Sequence, residues 1–292
     1  MFKEFDKLNK KELLKIVAVV TLSDGTLYNK NKKYIRLVTK ENDCQHNFFR
    51  YLCVKISDKE PNKCKIKSIN GFSREIDERI QSTLNSKEVV VELLKLSPTY
   101  KTTRGPISKE DYLQSPQPTD KFLFDESKGL RWLALRTWFD FDGCIIPSFR
   151  LKYKKDKKNG KVYCYYQVQF ECDIRISETN PSLFDDLKML FFSLGLRAVK
   201  KTRTNWSNID GASISRLEDV KKFVLHGPIT NVIVSHKSPR FYGIQKKKIC
   251  DVVNKILQDD LIKKSKYFKD RNEALNYKNK MDELLIKMLR SN

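Results

Sequence analysis

Two apolar runs in this chain end in the same way. Val17-Ala-Val-Val-Thr-Leu-Ser-Asp24-Gly25 and Leu135-Arg-Thr-Trp-Phe-Asp-Phe-Asp142-Gly143 both close on Asp-Gly and lead into a strand-like stretch, 118 residues apart. Around the first, helical periodicity predicts a helix over residues 10–24, with Leu13, Leu14, Val17, Val20 and Thr21 on its apolar side and Gly25 as its stop. Short strands follow at 26–28 and 33–39, then a helix over 43–54, strands at 64–68 and 79–84, and a helix over 87–96 capped by Ser86. This half reads helix, two strands, helix, two strands, helix.

The second half repeats that order. A helix is predicted over 127–142. In residues 145–154, Ile145, Pro147, Phe149, Leu151 and Tyr153 point one way, while Ser148, Arg150, Lys152 and Lys154 point the other. A Lys158-Asn159-Gly160 turn leads into near-complete alternation from Val162 to Ile176. Val162, Cys164, Tyr166, Val168, Phe170, Cys172, Ile174 and Ile176 form a face predicted to cover a core. Tyr163, Tyr165, Gln167, Gln169, Glu171, Asp173 and Arg175 form the opposite face. A helix over 181–194 stopped by Gly195, strands at 197–203 and 212–216, and a helix over 217–225 complete the half. Lys-rich helical stretches at 246–257 and 272–289 end the chain.

Between the halves, Pro98, Pro106, Pro116 and Pro118 sit among Thr, Ser, Lys and Gly, which reads as a connection with a short helix near 109–113. The organisation is therefore a first half at 1–97, a linker at 98–126, a second half at 127–257 and a Lys-rich helical extension at 258–292. The class is mixed α/β, with two related αββαββα halves.

Charge narrows the partner. The 292 residues include 58 basic against 36 acidic, a net charge of +22, which points to nucleic acid first and an anionic membrane surface second. No apolar run is long enough for a transmembrane helix, and the N-terminus, with its acids, lacks the apolar stretch of a signal peptide, so an intracellular protein is expected. The seven cysteines form no Cys-x-x-Cys pair and read as buried free thiols. His46, His226 and His236 are scattered, which argues against a histidine metal cage or a nucleophile triad.

The polar side of the 145–176 strand pair is Arg, Lys, Gln and Tyr with few acids, the side chains that bond phosphates and read base edges. Candidate nucleic-acid contacts are Lys30, Arg36, Arg150, Lys152, Tyr165, Gln167, Gln169 and Arg175, with Lys200 and Lys201 as further phosphate contacts. An aspartate at a helix C-terminus faces the negative end of the dipole. Its use twice, at Asp24 and Asp142, argues for a compensating metal or a functional role.

These residues resemble the LAGLIDADG homing endonuclease family. The second copy, from Leu130 to Gly143, matches well, and so does the downstream train ending in Leu194-Gly195. The copy from Val17 to Gly25 is looser. The resemblance spans most of residues 10–256 outside the linker. It implies a monomer of two pseudo-symmetric αββαββα halves, with the motif helices packed together at the centre and saddle-shaped antiparallel sheets lying in the major groove of duplex DNA as one basic concave surface. It implies that Asp24 and Asp142 bind Mg²⁺ or Mn²⁺ and direct cleavage of both strands. It implies a polar residue near the end of the second strand, Lys40 in the first half and either Ser177 or Glu178 in the second. It further implies a catalytic lysine, for which Lys246 is the match. A non-cleaving relative, an RNA maturase acting on intron RNA or a DNA-binding regulator, is the alternative. The sequence departs from the family where small residues let the motif helices touch. Val19, Ser23, Thr137 and Phe141 occupy those positions, and the Phe141 ring predicts helices set further apart.

Overall fold

The computed structural model describes residues 2–40, 42–69, 76–100, 116–158, 160–178, 180–201, 211–234, 240–259 and 264–291. The short helix expected near 109–113 and His236 lie outside them.

The first half begins with α1 (Lys10–Leu22), opened by a capping box between Asn9 and Glu12. Strands β1 (Gly25–Asn29) and β2 (Lys33–Thr39), helix α2 (Asp43–Ser57), strands β3 (Asn62–Ile69) and β4 (Ile76–Asn85) and helix α3 (Lys87–Leu96) follow. Ser86 caps α3 by accepting from the Val89 N–H, as expected. The second half runs α4 (Lys128–Asp142), β5 (Gly143–Lys158), β6 (Lys161–Ile176), α5 (Pro181–Ser193), β7 (Val199–Lys201), β8 (Gly211–Ile214) and α6 (Leu217–His226). Then come α7 (Lys246–Gln258), β9 (Ser265–Phe268) and α8 (Arg271–Arg290). The order αββαββα thus occurs twice. The sheets repeat it too: one has strand order β1-β2-β4-β3 and the other β5-β6-β8-β7, with β9 added beside β6. The expected mixed α/β class with antiparallel sheets is what the chain adopts.

One compact unit comprises Met1–Gly143, Arg175–Ser213 and Pro228–Val232. At its centre α1 and α4 pack directly on each other, with Cα atoms of the two helices within 8 Å. The Phe141 ring, expected to set the helices further apart, is buried. Both helices are buried almost all round, Ile16 to Leu22 in α1 and Trp132 to Phe141 in α4, which is why neither reads as cleanly amphipathic. Buried hydroxyls are satisfied locally: Thr21 Oγ1 donates to the Val17 carbonyl at 2.7 Å and Thr137 Oγ1 to the Leu133 carbonyl at 2.8 Å. Helices α2 and α3 also pack on α1, and β2 buries Ile35, Leu37 and Thr39 beneath them.

The other unit comprises Cys144–Ile174, Ile214–Gly227 and Ile233–Asn292. Its frame is the long β5–β6 hairpin. Strand β9 pairs with β6, Tyr166 opposite Phe268 and Gln169 opposite Ser265. Helix α8 is tied to the hairpin by Asp282, which accepts from the Phe149 N–H at 3.4 Å and pairs with Arg240 and Lys278. Core-side residues Ile145, Phe149, Val168, Phe170, Cys172 and Ile174 are buried. The expectation that the whole alternating face covers a core fails toward the turn, where Tyr153, Val162 and Cys164 are exposed, because the hairpin outruns the elements packed beneath it.

Among the described residues, no disulfide links the seven cysteines. Only Cys53, Cys172 and Cys250 are buried; Cys64 and Cys164 are exposed, and Cys44 and Cys144 are half-buried. The burial expected of them all therefore fails for Cys64, Cys144 and Cys164, whose strands lie at a sheet edge or run beyond the core, and for Cys44 in the first turn of α2. Among the described residues, no helix is long and apolar enough to cross a membrane.

Candidate functional site

An Asp-Gly pair lies at or just beyond the end of each of the packed helices α1 and α4, and the two differ in detail. Helix α4 runs through Asp142, which is half-buried, and Gly143 begins β5. Helix α1 stops at Leu22 rather than at Asp24. The Ser23 hydroxyl donates to the Val19 and Val20 carbonyls at 3.0 Å, closing the last turn early and leaving Asp24 exposed in the turn before β1. The glycines have one shared reason. A Cβ on Gly25 would lie 2.5 Å from the Thr21 Cα, and one on Gly143 would lie 2.4 Å from the Phe139 carbonyl oxygen. In both halves the chain doubles back hard against its own helix, so only glycine fits after the aspartate.

The second motif contains two aspartates, and their surroundings separate them. Asp140 is fully buried. Its carboxylate accepts the Ile229 N–H at 3.1 Å and the Thr230 N–H at 2.8 Å, while its carbonyl accepts from Gln45 of α2 at 2.9 Å. One turn earlier, Arg136 donates to Glu4 at 2.6 Å and to the Pro228 carbonyl at 3.5 Å. These two side chains clamp the Pro228–Thr230 segment to α4. The Asp142 carbonyl accepts the N–H of Ser177 at 3.1 Å.

That bond bears on the choice between Ser177 and Glu178. Ser177 is exposed and directly follows β6. Lys40 is likewise exposed and directly follows β2, so it holds the corresponding place in the first half. Glu178 is instead buried and accepts from the Asn180 N–H at 2.6 Å, shaping the entry to α5. Lys40 pairs with Asp77 at 3.0 Å, and Asp77 also meets Arg79 at 3.7 Å. Lys246 is the first residue of α7, at the start of a helix as expected, and is buried.

The outward face of the first sheet is polar. Arg36 lies between Thr26 on β1 and Thr83 on β4; Val38 faces Gln81, and Tyr28 stacks on Tyr34 at 5.1 Å between centroids. The Nε atoms of Arg36 and Arg79 are buried without a hydrogen-bond partner. Lys30 is exposed in the β1–β2 turn. The alternation of Arg79, Gln81 and Thr83 with Ile80, Ser82 and Leu84 in β4 was the signal for the rest of this face.

On the second hairpin the cations are less free than their spacing suggests. Glu171 pairs with Arg150 at 3.1 Å and also with Lys152. Gln167 donates to Ser265 at 2.8 Å and to Tyr267 at 3.4 Å, so its amide nitrogen is engaged by β9. Tyr165 donates to Asp156 at 2.7 Å. Gln169 and Arg175 are half-buried. Lys200 lies 5.8 Å from the Phe184 ring centroid. Lys201 ends β7, and its side chain lies outside the described residues.

Two buried titratable groups lie elsewhere in the first unit. The His46 ring bridges Thr39 Oγ1 at 2.9 Å and Ser82 Oγ at 2.8 Å, and burial pulls its pKa down to about 4. Asp120 is fully buried with neither carboxylate oxygen hydrogen-bonded. Burial, reinforced by Asp186 and Glu178, pushes its pKa well above the usual carboxylate range.

Among the described residues, no three His, Cys, Asp or Glu side chains gather as a metal-binding group. Asp24, just beyond α1, and Asp142, the last residue of α4, are both reached by solvent. Hard oxygen donors in this small number suit Mg²⁺, which holds few protein ligands and completes its octahedron with water and substrate phosphate. Two carboxylates are of the donor type that ion takes.

No protein-family model matches the chain, and no curated protein matches it. Among solved structures, the chain is similar to the homing endonuclease I-WcaI bound to its DNA recognition sequence, over 77% of this chain and 84% of that one, at 11% identity and a TM-score of 0.40.

Proposed function

We propose that this protein is a site-specific, Mg²⁺-dependent endonuclease acting on duplex DNA as a monomer. The observation that carries this reading is the pair of packed helices α1 and α4, each closing on an Asp-Gly with the same cramped glycine, in two halves of identical element and strand order. One carboxylate at or just beyond the end of each of two packed helices suits a reaction performed once on each strand.

Asp24 and Asp142 would hold the ion. A bound divalent metal makes attacking water more acidic and stabilises charge on the phosphoryl and leaving oxygens. The chain's own residues position the polymer. Arg36 and Arg79 place guanidinium groups on the strands of the first sheet, and Lys30 and Lys200 add exposed cations. Gln81 and Gln169 offer the donor and acceptor pairs that discriminate base edges. Asp140 takes no part in chemistry and holds the frame behind Asp142. Lys246 is assigned the cation that balances developing phosphate charge in the second half.

The test is cleavage of a plasmid library carrying randomised sites, with Mg²⁺ or Mn²⁺ and with EDTA. Linear product that needs the metal is the expected result. Duplex binding without any cut under all conditions would assign the chain to the non-cleaving alternative, an RNA maturase or a DNA-binding regulator.

A further inference from the structure

The outer half of the β5–β6 hairpin carries aromatic rings where phosphate binding needs only cations. The face that covers the core at Phe149 and Val168 continues outward in the same alternation, but there Tyr153 is 51% exposed and Val162 55%. Tyr166 packs on Tyr153 at 5.4 Å between centroids. On the opposite face Tyr163 is 52% exposed, and the Tyr165 ring meets the edge of Tyr267 at 5.4 Å. Rings therefore stand on both sides of a two-stranded ribbon. From Tyr153 to Tyr166 the chain holds five lysines and a single acid, Asp156, which is occupied by the Tyr165 hydroxyl. The Lys155 ammonium lies 5.7 Å from the Tyr153 ring centroid.

Exposed ring faces among cations match one polymer chemistry. Bases in a duplex stack on one another and offer only their edges to a protein. Unpaired bases offer their π-faces, and aromatic side chains in a basic setting bind them by stacking while cations hold the phosphates. We propose that the outer half of the β5–β6 hairpin is a stacking platform for the unpaired bases of a single-stranded nucleic-acid segment, with Tyr153 on one face and Tyr163 on the other. This rests on the nucleic-acid reading above but calls for a different form of the polymer. The shared ligand chemistry is an unpaired base with its phosphate, in DNA or RNA.

Fluorescence anisotropy of the full-length protein without metal tests it. The probes are a labelled thymidine oligomer of about 20 nucleotides, an abasic oligomer of the same length, a uridine oligomer and a duplex. The abasic oligomer keeps every phosphate and removes every base, so stacking predicts at least fivefold weaker binding to it than to the thymidine oligomer. Tyr153→Ala and Tyr163→Ala should each weaken the thymidine oligomer by roughly five- to hundredfold, the range for loss of one stacking partner. They should leave duplex and abasic affinities unchanged, and Tyr153→Phe should retain wild-type affinity. Comparable affinity for thymidine and uridine oligomers supports stacking on faces both share; preference for one of them supports it and identifies the source. Equal affinity for the abasic and thymidine oligomers overturns the proposal, and that comparison needs no variant. Equal losses on duplex and single strand overturn it too. A protein that binds duplex but no oligomer overturns this inference alone, whereas one that binds neither polymer overturns the nucleic-acid reading itself.

Discussion

Asp140 and Asp142 stand two residues apart on one helix and meet opposite surroundings. Asp140 is buried against two backbone N–H groups, so Asp140→Ala leaves both donors unsatisfied and should cost about 2–4 kcal/mol in urea denaturation. Asp142→Asn keeps the shape of the half-buried side chain and should cost less than Asp140→Ala. His46 makes a pH prediction. Its folded pKa of about 4 lies below the ordinary 6.5, so the unfolded chain takes up a proton before the folded one does. The neutral ring's contribution is present above pH 6.5 and is lost as pH falls toward 4, a loss of up to about 3 kcal/mol that should vanish from the pH profile of His46→Gln. Asp120 acts in the other direction. Its folded pKa is raised, so the folded state keeps a proton that the unfolded chain releases near 3.8, and its contribution to stability falls as pH rises above that point. Asp120→Asn should be more stable than wild type near neutral pH and should flatten the corresponding slope; an unchanged profile would contradict the assignment.

At the level of elements, the tight return from helix to strand makes the glycines as informative as the aspartates. A methyl at Gly25 or Gly143 meets backbone atoms that cannot rotate away, so Gly25→Ala and Gly143→Ala should each lower the melting temperature, by roughly 5–10 °C if the cost is a few kcal/mol. The duplicated αββαββα order was legible because each half alternates long apolar helices with period-two strands, and most boundaries fall within two or three residues of the pattern. The misses have physical causes. Helix α1 stops at Leu22 because the Ser23 hydroxyl folds back on two carbonyls, and nothing in apolar spacing reports that bond. The hairpin's alternation gave the facing of each side chain correctly but not where the core ends, since periodicity records orientation and not what is packed beneath. Strand β9 went unread because Ser265–Phe268 is short and sits between Lys-rich helices; pairing with β6 makes it a strand. Asp140 was not singled out in the sequence, and only the returning Pro228–Thr230 segment, distant in sequence, shows its structural role.

Across the whole molecule, a net charge of +22 sets the dominant force in any complex with nucleic acid. If about 6–10 phosphates are neutralised, duplex affinity should fall by about 10³–10⁵ between 50 and 200 mM salt. Affinity that barely changes in a salt titration would contradict that binding mode. Gln169→Ala should reduce discrimination between sites more than overall affinity, because base contacts specify and phosphate contacts position; competition binding against random duplex measures both. The account turns on the carboxylates at the ends of α1 and α4, and the direct measurement is cleavage of the randomised-site plasmid library by wild type, Asp24→Asn and Asp142→Asn in Mg²⁺, in Mn²⁺ and in EDTA. The account predicts double-strand breaks by wild type only with metal. It predicts no double-strand break from either variant, with at most slow nicking of one strand and duplex affinity retained. A wild type that cuts nothing with either metal, or Asn variants that cut as well as it does, would contradict the account.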